Sequence, residues 1–136
     1  MAISSNQLKN LIRVGRVSTV DPSTATATVT FPDKDDLVSR SLPVLQLGSK
    51  DNKTYWMPDI DSQVLCVFQP NPSGKGLGYG AVLGCMYSTA DPPDDTDANV
   101  KAVRFADGSY IKYEDGNLDI YMTGTITINA SQINLN

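Results

Sequence analysis

Leu118-Asp119-Ile120-Tyr121-Met122-Thr123-Gly124-Thr125-Ile126-Thr127-Ile128-Asn129-Ala130-Ser131-Gln132-Ile133-Asn134-Leu135-Asn136 reads as strand rather than helix, because apolar side chains recur at every second position over most of it. The 17 residues from Ile120 onward carry no charge and set an Ile/Met face against a Tyr/Thr/Asn face. A lone ribbon of this kind has an apolar side and unprotected edges, so it aggregates unless something covers it. Burying its apolar side chains falls short of the entropy of ordering the segment, so the edge hydrogen bonds must be made as well. No other stretch of the chain is free to make all of them, whereas copies of the same chain can, in a closed cyclic assembly without a long free edge. The pattern predicts Leu118, Ile120, Met122, Ile126, Ile128, Ile133 and Leu135 as the core of a multi-chain stem.

Upstream, Val103, Phe105, Ile111 and Tyr113 continue the alternation, punctuated by turns at Asp107-Gly108 and Asp115-Gly116. Before them, residues 89–101 form a linker rich in aspartate, with Pro92 and Pro93. Residues 1–88 read as a short helix, Ser4 to Ile12, followed by short strands. Val14 to Val20 and Ala25 to Phe31 form a hairpin around Asp21-Pro22-Ser23-Thr24, and further strands fall at Arg40 to Leu47, Thr54 to Met57, Gln63 to Gln69 and Tyr79 to Tyr87. Short strands without helices between them favour a small antiparallel barrel of the OB type, with Val64 to Phe68 as a central strand. The expected fold is all-β, with residues 102–136 as the stem.

Composition excludes much chemistry. The chain has 136 residues, room for one modest domain with an extension, and Glu114 is the single glutamate against fourteen aspartates. A net charge of −4 gives no general attraction for phosphate backbones. The absence of histidine removes the commonest general base and metal ligand. No apolar run is long enough to span a membrane and no signal-peptide pattern opens the sequence, so synthesis is expected in the cytoplasm without export. In that compartment Cys66 and Cys85 are read as buried thiols ahead of a disulfide.

Weaker signals yield to plain readings. Pro72 to Gly80 is glycine-rich and contains Lys75 but lacks phosphate-loop spacing, so it reads as a hairpin loop. Asp95-x-Asp97-x-Asn99 opens like a calcium loop, yet Val100 and Ala106 stand where glycine and glutamate belong. Asp59 and Asp61 beside Pro58 suggest a turn rather than acid catalysis. Tyr55 and Trp56 suit either a base-stacking platform or a protein contact, and the interleaved carboxylates favour the second.

Three segments carry a family resemblance: Asn10-Leu11-Ile12-Arg13-Val14-Gly15-Arg16-Val17 with Val20-Asp21-Pro22; Ala81-Val82-Leu83-Gly84 with Tyr87-Ser88; and Val103-Arg104-Phe105-Ala106-Asp107-Gly108-Ser109-Tyr110-Ile111-Lys112-Tyr113. Over nearly its whole length the chain resembles the baseplate assembly protein V family, the central spikes of contractile phage tails and related bacteriocins and injection systems. The resemblance implies an OB-like domain, then an intertwined triple-stranded β-helix in a homotrimer, with Phe105, Gly108, Ile111 and Tyr113 where the stem begins. It implies a non-enzymatic role at the baseplate tip of a virion or contractile particle, alongside hub and tail-tube proteins, in puncturing the target cell envelope on sheath contraction. Longer relatives carry a His-x-His iron apex, which a chain without histidine cannot form. Either a separate tip protein caps the stem, or the stem is blunt, or the chain is truncated. No cofactor and no nucleic-acid partner is expected. The alternative reading is an OB-fold module binding single-stranded nucleic acid, and a fused enzyme has no length left to occupy.

Overall fold

The computed structural model describes residues 2–70, 72 and 78–136 and is all-β apart from one short helix and a 3-10 turn. Its residues fall into two units, Met1–Pro92 and Pro93–Asn136.

In the first unit α1 (Ser5–Lys9) precedes β1 (Ile12–Asp21), β2 (Thr26–Phe31), the 3-10 turn Pro32–Lys34, β3 (Leu37–Val38), β4 (Leu42–Pro43), β5 (Gln63–Phe68) and β6 (Gly80–Cys85). The ten-residue β1 is the spine: it pairs antiparallel with β2 on one side and with β5 on the other. β5 pairs in turn with β6, and β2 with β3 and β4. β4 reaches β6 through a parallel bridge between Val44 and Val82, where the Leu45 N–H donates to the Val82 carbonyl at 3.0 Å.

Alternation along these strands puts one set of side chains into a common core, as a period of two demands. Val17, Ala27, Val29, Phe31, Leu42, Val64, Cys66, Phe68 and Val82 are buried together, with Phe31 and Phe68 meeting edge to face at 5.7 Å. Gly15 is what lets β1 lie this close to β2: a Cβ there would sit 2.6 Å from the Thr30 carbonyl oxygen.

Three expectations need correction. The helix ends at Lys9 rather than Ile12; Leu8 is exposed, and Ile12, β-branched, joins β1 opposite Val67. The expected strand over Arg40 to Leu47 shrinks to Leu42–Pro43, because Pro43 has no N–H to offer a ladder. Thr54 to Met57 forms no strand, since the Gln46 side chain takes the place of a neighbour: its amide donates to the Trp56 carbonyl and its oxygen accepts from the Trp56 N–H, both at 3.1 Å. The two faces of β5 also differ, with Val64, Cys66 and Phe68 buried and Val67 exposed. Of the glycine-rich loop, residues 73–77 lie outside the described residues.

The second unit holds β7 (Lys101–Arg104), β8 (Tyr110–Glu114) and β9 (Asn117–Tyr121) in one antiparallel sheet. Asp115 and Gly116 both take positive φ, +51° and +83°, which is the two-residue hairpin turn that Asp-Gly favours. Gly108, at φ +93°, closes the other turn by donating to the Phe105 carbonyl at 3.1 Å. Beyond Tyr121 no strand is formed within the single chain, so the alternation at Ile126, Ile128 and Ala130 has no ladder partner there.

Candidate assembly interface

The register of the second unit decides which side chains share a face. Val103 pairs with Ile111 and Ile111 with Ile120; Tyr113 pairs with Leu118. Directly opposed residues in an antiparallel sheet project to the same side, so these five form one continuous ladder, and Phe105 follows Val103 at the same parity. Their exposures run from 39% to 63%.

The opposite face is knit together within the chain. Tyr110 and Tyr121 stack at 5.7 Å, the Arg104 guanidinium lies 5.1 Å from the Tyr110 ring centre, and Lys112 lies 5.9 Å from it. Arg104 also grips Asp95 with a two-pronged fork, Nε to Oδ2 at 2.6 Å and a terminal nitrogen to Oδ1 at 2.7 Å. That hydrogen bonding holds the Asp95 carboxyl below its usual range and the Arg104 guanidinium above its own. The sheet thus has one face completed by its own side chains and one apolar face bare.

The contrast with the first unit is sharp. Among the described residues every fully buried large apolar side chain belongs to Met1–Pro92, and in Pro93–Asn136 the one buried residue is Ser109. A three-stranded sheet needs a covered hydrophobic face for independent stability. This unit has the face and lacks the cover.

Polar contacts fix where the C-terminal segment leaves the sheet. The Asp107 carboxylate accepts from the Ser109 N–H and from the Thr123 hydroxyl, both at 2.9 Å, while the Ser109 hydroxyl accepts from the Thr123 N–H at 3.1 Å. The Ser109 N–H first and the Thr123 hydroxyl next hold the Asp107 carboxyl below the ordinary aspartate range.

Of the residues assigned to the stem, the sheet brings together Ile111, Tyr113, Leu118 and Ile120. Gly108 lies in the β7–β8 turn, and Met122 follows β9 half-exposed. Ile126, Ile128, Ile133 and Leu135 project from the C-terminal segment, 51% to 90% exposed, with no strand beside them. Sequence reasoning left Val103 out of the site, although its place in the alternation marked it. It also missed the Asp107–Ser109–Thr123 lock, for which the Asp-Gly-Ser turn was the available signal.

The remaining candidates separate. Asp95 is taken up by Arg104, and the Asp97 carboxylate accepts from the Asn99 N–H at 2.9 Å, so this stretch folds as a turn on its own partners. Cys66 is buried, and burial pushes its thiol up to about 11. Cys85 is exposed rather than buried, which corrects the expectation, because it lies at the last position of β6, where the strand ends. Tyr55 and Trp56 are both exposed, and the Tyr55 hydroxyl donates to the Pro22 carbonyl at 3.2 Å. Comparison with protein-family models and with curated proteins finds no match for this chain.

Proposed function

We propose that the chain is a structural spike or hub subunit of a contractile tail or injection system, working as a homotrimer. One observation carries this reading: a three-stranded sheet with a bare apolar ladder continues into an uncharged segment of the same alternation that has no strand partner among the described residues. Three copies that turn Val103, Ile111, Tyr113, Leu118 and Ile120 towards a shared axis cover each other's ladder. They also supply the edges that residues 122–136 need to wind as a triple-stranded β-helix.

The strand pairings of the first unit support an OB-like barrel. They run in a ring, β1 to β2, β2 to β4, β4 to β6 through the Val44–Val82 bridge, β6 to β5, and β5 back to β1. Five strands in a ring closed at one point by a single bridge fit the partly open barrel of that type. In this reading the barrel attaches the trimer to the tail hub, the stem lies on the tail axis, and sheath contraction drives it into the target envelope without catalysis.

Electron microscopy of contractile particles carrying a tag on this chain tests the role. The tag is expected on the tail axis at the baseplate. A tag found on side fibres or outside the particle contradicts it.

A further inference from the structure

We propose that the surface on either side of Trp56 is a docking groove for a protein segment that sets an apolar side chain next to an arginine or lysine. Trp56 is a shared wall. On one side lies an apolar hollow lined by Leu45, Leu47, Tyr55 and Leu83, and on the other a cavity of about 670 Å³ lined in part by Asp59, Asp61, Asp91 and Tyr87. Leu47 is 96% exposed and Trp56 58% exposed.

The apolar side is held in place before anything binds. Gln46 clamps both backbone groups of Trp56, and the Thr54 hydroxyl accepts from the Leu47 N–H at 2.9 Å. The turn between them is tight enough that a Cβ on Gly48 would run into the Asn52 carbonyl. An exposed apolar group fixed by its own scaffold loses little entropy when a partner covers it, which is how interface anchors behave.

The acidic side selects the partner's chemistry. The Gln63 amide donates to the Tyr87 carbonyl at 3.0 Å and the Ser62 hydroxyl to the Asp59 carbonyl at 2.7 Å, so both side chains are tied to the cavity wall. Three carboxylates, those of Asp59, Asp61 and Asp91, line the cavity. The Arg16 guanidinium donates to the Asp61 backbone carbonyl at 2.8 Å and forms only a long ion pair with the Asp91 carboxylate, at 3.9 Å. A ligand that brings donors and positive charge fits such a wall, and the faces of Trp56 and Tyr87 favour a cation further.

The groove belongs wholly to the first unit, so its test is separate from that of the stem. Random peptides displayed on ribosomes are selected against the full chain, and the recovered peptides are titrated by fluorescence anisotropy. They are expected to pair Leu, Phe or Trp with Arg or Lys. Trp56→Ala, D59N/D61N, and Gln in place of the peptide's basic residue are each expected to weaken binding about tenfold or more. If Trp56→Ala fails to fold, the carboxamide pair and the altered peptide still decide the matter. Recovered peptides without a basic residue, equal binding to the variants, or no recovery at all would overturn the proposal. So would a Trp56→Ala chain of changed assembly mass, which would make the groove a contact between copies.

Discussion

The Thr123 hydroxyl donates to the Asp107 carboxylate at 2.9 Å, across sixteen residues of sequence, and ties the start of the C-terminal segment to the turn that opens β8. Ser109, the one buried residue of its unit among those described, completes the lock from below. The direction in which residues 124–136 leave the sheet is thereby set by side-chain chemistry rather than by packing.

Acid should open this lock. The folded-state pKa of Asp107 is depressed by its hydrogen bonds, so its contribution to stability is present above the unfolded value of about 3.9 and is lost as pH falls through the folded value. Asp21 and Asp95 are depressed as well, by Ser23 and Arg104 respectively, and add in the same direction. Thermal melts should lose midpoint steeply below about pH 4. Asp107→Asn should lower the midpoint at neutral pH and flatten that acid loss.

Arg104→Lys should release Asp95. Lysine cannot reproduce the fork, and a single ammonium donor holds a carboxylate less firmly. Carboxyl titration by NMR should show Asp95 moving up towards the ordinary aspartate range in the variant, with Asp107 unmoved. An unchanged Asp95 would mean that the fork does not set its charge state.

Much of this architecture was legible in the sequence wherever local chemistry and side-chain period agree. The hairpin around Asp21-Pro22-Ser23-Thr24 formed as expected because the Asp21 carboxylate accepts from both the N–H and the hydroxyl of Ser23. The Asp115-Gly116 turn likewise has the positive φ values that its residues favour. What the sequence hid depends on contacts distant along the chain. Nothing near Trp56 announces that Gln46, ten residues away, will satisfy its backbone and remove the need for a strand. Nothing near Cys85 shows that β6 ends there, beyond the cover of the core. The apolar face of the second unit was half legible: alternation marked Val103, Ile111 and Ile120 alike, but the register was needed to show that they lie side by side.

The close approach of β1 and β2 should make Gly15 intolerant. Gly15→Ala would press a methyl group against the Thr30 carbonyl and Val29 Cγ1, each at 2.6 Å, and should cost about 1–3 kcal/mol in a denaturant melt. Gly84→Ala, whose Cβ meets nothing within 4 Å, should be nearly neutral and serves as the control.

The two thiols should react at very different rates. Cys66, buried and with its thiol raised to about 11, stays protonated at pH 8, whereas Cys85 is exposed. A thiol reagent should modify one cysteine rapidly in the folded chain, and Cys85→Ser should abolish that phase. Fast reaction of both would show that the core around Cys66 opens readily.

Sedimentation equilibrium of the full chain at low concentration bears on whether copies of this chain cover the apolar ladder. A trimer of the 14.7 kDa chain, about 44 kDa, is expected, and Ile120→Asp should dissociate it by placing carboxylates on a dry axis. A stable 14.7 kDa species with the ladder left uncovered would contradict it.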